Sequence, residues 1–167
     1  MKMKRFDVGL FIVHPTEDPV AISGILGLEP TRAWRVGDER TTPDGDILSG
    51  RRVDTRWRFS RRYETSDQWF FKQVEDLVEL IEPHAEFIRE LVASGGEVTL
   101  EVWLLGDGYF GDSIPAAFIK RLSDLHMGFG LESFLVPQNG HDDQLVVTLM
   151  PRPQVRLRRP VLETIGA

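Results

Sequence analysis

Cysteine is absent from the 167 residues. That single absence removes disulfides, thiolate nucleophiles, cysteine-ligated zinc and iron–sulfur clusters. It also fits a reducing compartment, so the expected location is the cytoplasm. Long apolar runs are missing too. No stretch approaches the ~20 residues of a membrane-spanning helix, and no membrane partner is expected. The opening MKMKRFDVGLFIV pairs a basic start with a short apolar run. Asp7 interrupts that run, and His14-Pro15 stands where a signal peptide would place small residues, so the segment reads as a first strand. The four histidines, His14, His84, His126 and His141, fall into no HxH, HxxxH or HExxH spacing. His141-Asp142-Asp143 reads as a solvated turn in preference to a metal site. There is no G-x-S-x-G elbow and no P-loop, and the GDGYFG run at 106–111 lacks the G-x-G-x-x-G spacing. No catalytic residue, metal or cofactor is assigned, and the expectation leans away from an enzyme.

What is present suits one ordinary domain. The chain is 41% hydrophobic and 28% charged, which argues against disorder. Residues 6–13 put Phe6, Val8, Leu10 and Ile12 on one face of a buried strand. Asp18-Pro19 starts a short helix that ends at Gly27. Residues 29–50 read as a long loop around the turn signal Pro43-Asp44-Gly45. Residues 52–60 alternate, with Val53, Thr55, Trp57 and Phe59 on one side and Arg52, Asp54, Arg56, Arg58 and Ser60 on the other. Ser66 is positioned to cap a long helix with apolar residues at Phe70, Val74, Leu77, Ile81, Ile88 and Leu91. Pro83 should break it near 82–84. A strand follows at 97–105, then a short helix capped by Ser113, with His126 in its last turn. Strands follow at 129–136 and 144–150. The expected organisation is a single α+β domain over 1–150, with an extended tail over 151–167 that carries Pro151, Pro153 and Pro160. The expected fold is a mostly antiparallel sheet with helices mainly on one face. Residues 6–59 and 97–136 each read as strand, helix, strand, compatible with ferredoxin-like halves joined by the long helix.

Several of these segments also follow the order of a known family. Ile25-Leu26-Gly27-Leu28-Glu29-Pro30 ends the first helix, and Gly37 and the Trp57 strand follow. EDLVELIEPHAEFIREL, a short helix and GLESFLV come next. This order resembles a bacterial family, the domain of unknown function DUF4279, over residues 6–136. The resemblance implies a fold and no mechanism, and the segment from 144 onward is an addition to it.

Charge is the most informative feature. The net charge is −6. Yet nine of the 16 arginines lie between residues 32 and 62, where five acids leave +4, while the rest of the chain carries −10. Glu75, Glu79, Glu82, Glu86 and Glu90 recur at three- and four-residue spacings, making an acidic stripe on the long helix. Its plain reading is a solvated face; its functional reading is a surface for a basic partner. If helices cover the Trp57 face, then Arg52, Arg56 and Arg58 stand on the open face with Glu101 and Trp103. Such a face can carry solvated cross-strand ion pairs, an interface with another protein or a second copy, or a platform for a small anion. The interleaved acids weigh against nucleic acid. The candidate binding residues are Arg35, Arg52, Arg56, Arg58, Glu101, Trp103 and, at the tip of the 106–111 loop, Tyr109. The leading expectation is a non-catalytic protein-interaction module, with an immunity-type, toxin-neutralising role as one concrete form. The alternative is a small-molecule or anion-binding protein, in the extreme an enzyme, working through the same face.

Overall fold

A computed structural model describes residues 4–65, 70–105 and 111–134. β1 (Lys4–His14) is the middle strand of a five-stranded sheet. Its buried apolar side chains are Phe6, Val8, Leu10 and Ile12, as the alternation predicts. β1 runs antiparallel to β5 (Thr55–Thr65) on one side and to β6 (Glu97–Leu105) on the other. β2 (Arg32–Trp34) extends the sheet beyond β5, and β7 (Gly128–Phe134) lies parallel to β6 at the far edge. The strand order is β2-β5-β1-β6-β7. The two strand-helix-strand halves therefore differ in sense: β1 and β5 pair antiparallel, whereas β6 and β7 pair parallel.

All helices serve one face. α1 (Pro19–Leu26) begins at Asp18, whose carboxylate accepts the Val20 N–H at 3.0 Å. It ends at Gly27 with φ 65°, and that residue's N–H bonds the Ser23 carbonyl. Ile22 and Leu26 face inward, and Trp57 of β5 donates its indole N–H to Ser23 Oγ at 2.9 Å. The long apolar periodicity resolves into α2 (Phe70–Ile81), a single 3-10 turn (Glu82–His84) and α3 (Ala85–Ala93). The break falls at Pro83, as expected from its missing N–H and its ring. α4 (Ala116–Asp124) carries the chain from β6 to β7 and packs beside α2, where Phe71 and Phe118 meet edge-to-face at 5.0 Å. One core joins these helices to Val98, Leu100, Val102 and Leu104 of β6. The result is the expected α+β layering. Among the described residues no helix is long and apolar enough to cross a membrane.

Four local readings are corrected. Residues 29–50 are not all loop: they hold β2 and a hairpin of β3 (Glu39–Thr41) with β4 (Ile47–Arg51), turned at Pro43-Asp44-Gly45. These strands are three to five residues long and almost wholly exposed, so burial imposes no alternation on them. Val53 lies outside β5 and is 85% exposed; Arg52 precedes the strand as well, and β5 runs on to Thr65. Ser113 does not cap α4, which opens after Pro115. The nearby Asp112 instead accepts the Phe71 N–H at 3.0 Å, so an acid from another segment serves the first turn of α2. His126 lies past the end of α4, in the left-handed region at φ 57°. Its N–H bonds Ser123 O and that of Met127 bonds Leu122 O, closing a Schellman motif with a residue other than glycine. The expected cap Ser66, the strand at 144–150 and the tail lie outside the described residues.

Candidate functional site

Residues paired across a sheet point to the same side, so the registers define the open face row by row. One row reads Arg32, Arg58, Phe11, Thr99, Gly128. A second begins with Trp34, Arg56 and Val13. A third holds Ser60, Gly9, Glu101 and Gly130, and a fourth Arg62, Asp7, Trp103 and Glu132. Two clusters, each centred on a tryptophan, stand on this surface.

The first is in the middle of the sheet. Arg58 reaches from β5 over β1 to β6, where its guanidinium carbon sits 3.3 Å from the centre of the Trp103 ring. It also approaches Glu101 at 3.6 Å. The strand it crosses carries Gly9, between Phe11 and Asp7, and the missing side chain leaves the path low. Backbone packing is tight there, since a Cβ on Gly9 would fall 2.6 Å from the Phe59 carbonyl oxygen. Glu101 is buried although it lies on the uncovered side, and the arginine beside it supplies the counter-charge a buried carboxylate needs.

The second cluster is at the β2 edge. Three guanidiniums gather around one indole: Arg52 at 4.1 Å from the Trp34 ring centre, Arg32 at 5.2 Å and Arg56 at 5.7 Å. Arg56 is held by both oxygens of Asp54, at 3.1 and 3.2 Å. Arg52 is placed by its backbone. Its N–H bonds Asp38 O at 2.9 Å, and its carbonyl accepts the Gly37 N–H at 2.8 Å. Trp34 Nε1, Arg52 Nε and Trp103 Nε1 are buried and make no hydrogen bond.

Of the expected site residues, Arg52, Arg56, Arg58, Glu101 and Trp103 share this face. Arg35 does not. It follows Trp34 by one residue, so it turns to the helix side and pairs with Asp18 at the start of α1. The Val20 N–H, and then Arg35, hold the Asp18 carboxyl below its ordinary range. Tyr109 lies outside the described residues. Two members were missed, Trp34 and Arg32. A three-residue strand has no readable period, and only the excess of arginine around it hinted at a site.

Other polar groups have structural roles. His14 is buried at the end of β1, and its Nδ1 accepts the N–H groups of Thr16 and Glu17 at 3.1 and 2.8 Å. The ring proton therefore sits on Nε2, which donates to Ser94 Oγ at 3.0 Å and ties β1 to the end of α3. In the glutamate stripe, Glu75 meets Lys72 and Glu82 meets Arg121. Asp7 raises the pKa of Arg62 through a hydrogen-bonded ion pair on the open face. Among the described residues no three His, Asp or Glu side chains gather as a metal centre requires. A cavity of about 70 Å³ lies at the α2 edge of the sheet, lined by Phe59, Arg61, Tyr63, Asp76, Leu77 and Leu80 among others. None of the expected site residues reaches it.

A family model described as a domain of unknown function (DUF4279) matches residues 4–133. The chain belongs to this family. The matched span begins with β1 and stops one residue short of the end of β7, so both tryptophan clusters belong to the family domain. No curated protein and no solved structure matches the chain.

Proposed function

We propose that this DUF4279 domain is a non-catalytic protein-interaction module and that it binds through the open face of its sheet. One observation carries the reading: two indoles, each with a guanidinium over its ring, stand on the face that no helix of the described fold covers, one at the β2 edge and one on β6. Tryptophan and arginine are the residues that most often dominate binding energy at protein interfaces. They combine large contact area with directional donors, and stacking holds the guanidiniums in place before a partner arrives. A small-molecule site is the weaker reading. Such sites enclose roughly 300–1,000 Å³. The cavity of about 70 Å³ falls short of that and lies elsewhere. A toxin-neutralising role would draw on the other surface, the glutamate stripe of α2 and α3. Lys72 and Arg121 already offset part of that charge. The absence of cysteine supports action in the cytoplasm.

The test is charge reversal on the face. Arg56→Glu should change either self-association, measured by light scattering, or the set of proteins captured from a native lysate. If both match the wild type while the variant keeps its thermal midpoint, the reading fails.

A further inference from the structure

Resting on that reading, we propose that the Trp34 cluster is the receptor for an acidic peptide segment of the partner, with neighbouring carboxylates seated on Arg32 and Arg52. Charge is unbalanced at this cluster. Elsewhere on the sheet several arginines are matched, Arg35 with Asp18, Arg58 with Glu101, Arg62 with Asp7 and Arg5 with Glu64, while Arg40 and Arg51 of the hairpin donate to backbone carbonyls and Arg61 lies over the Phe59 ring. Around Trp34 three guanidiniums share one carboxylate, Asp54, and both its oxygens go to Arg56. Arg32 and Arg52 form no ion pair among the described residues. Three like charges converging on one ring repel one another, and an incoming anion relieves that repulsion.

The cluster is also built to receive something. Arg52 is pinned at its backbone by the 37–38 turn and its guanidinium stacks 4.1 Å from the Trp34 ring centre, so part of its freedom is already spent before a ligand arrives. Its Nε and the Trp34 Nε1 are buried donors with no acceptor, a costly arrangement that a ligand oxygen or the water bridging to it would satisfy. The planar fork of arginine matches a carboxylate with two parallel bonds, and the indole offers an apolar wall for the methylenes of a glutamate.

The chemistry favours a peptide over a nucleic acid. The three guanidiniums converge on one indole, and acids are interleaved with them. Asp54 lies within the cluster, and Asp38 and Glu39 border it in the turn that holds Arg52. A phosphate backbone has evenly spaced charge and would run onto these carboxylates, and the chain as a whole carries −6. A peptide can place its carboxylates where the guanidiniums are and neutral groups beside them.

The experiment titrates the full chain against a fluorescently labelled glutamate hexapeptide, a glutamine hexapeptide and a single-stranded hexanucleotide, read by anisotropy at low salt. The glutamate peptide should bind saturably and the glutamine peptide should not. Arg32→Gln combined with Arg52→Gln should weaken glutamate-peptide binding by about 10- to 100-fold, since each lost arginine removes a charge-assisted pair. Arg61→Gln, outside the cluster, should bind like the wild type. Raising the salt should weaken binding in parallel. The proposal is overturned if the glutamate peptide does not bind, if the double variant binds it as well as the wild type, or if the hexanucleotide binds more tightly. If it is overturned while Arg56→Glu still alters self-association or capture, the interaction reading stands and only the acidic partner falls.

Discussion

Gly9 and Gly24 offer a matched pair of substitutions with opposite expected signs. Gly9 sits mid-strand in β1, paired with Ser60 and Glu101. An alanine Cβ there would lie 2.6 Å from the Phe59 carbonyl oxygen and 3.3 Å from Ser60 Cβ. The closer obstacle is backbone of a hydrogen-bonded strand and cannot swing aside, so β1 and β5 must separate locally. Overpacking of this kind costs about 2–3 kcal/mol. Removing a glycine from the unfolded chain returns about 0.5–1 kcal/mol. The steric term wins, and Gly9→Ala should lose about 1–2.5 kcal/mol. At this chain length that lowers the thermal midpoint by about 2–10 °C. Gly24 lies within α1, and a Cβ there meets nothing within 4 Å. Only the favourable term remains, so Gly24→Ala should gain about 0.5–1 kcal/mol. Urea unfolding followed by circular dichroism measures both. Equal stability of Gly9→Ala and the wild type would refute the close approach of β1 to β5. A loss on Gly24→Ala would refute the free helix surface.

Three further outcomes follow from single contacts. His126 occupies the left-handed position of the α4 cap and is exposed, so His126→Gly should raise stability by about 1 kcal/mol; a loss in urea unfolding would mean that its side chain does more than tolerate the turn. Gly96→Ala would put a Cβ 2.6 Å from the His14 ring and 2.7 Å from Leu91 O, and should destabilise by about 1–3 kcal/mol, read as a lower thermal midpoint. Asp18 has a pKa lowered from 3.8, so its stabilising contribution is complete above that value and is lost as pH falls through the lower folded value. Asp18→Asn should therefore flatten the acid limb of the stability curve below pH 3.8, and an unchanged limb in acid titration counts against the Arg35–Asp18 pair.

Much of the fold was legible because burial stamps a period on the chain. The alternation of Phe6, Val8, Leu10 and Ile12 reports a strand with one face in the core. The helical spacing of Val74, Leu77, Ile81, Ile88 and Leu91 reports a helix against a sheet, and Pro83 marks where its ladder must break. The same logic placed Arg56 and Arg58 opposite Trp57, and Glu101 and Trp103 opposite Leu100 and Val102. The candidate site was only half visible. β2 is too short and too exposed to show a period, so Trp34 and Arg32 read as loop. Arg35, one residue on, belongs to the other face.

The sequence by itself determined the long buried strands and helices, their buried sides, the missing thiol chemistry and the positive segment at 32–62. These are local properties, since each residue's preference for water or core is written in its own side chain and its near neighbours. Only the tertiary structure decided that β2 pairs with β5, that Arg58 crosses Gly9 to reach Trp103, and that three arginines meet at Trp34. Those contacts join residues as much as 45 positions apart in the chain, as with Arg58 and Trp103. Strand register and backbone approach set them, and a linear pattern does not encode either.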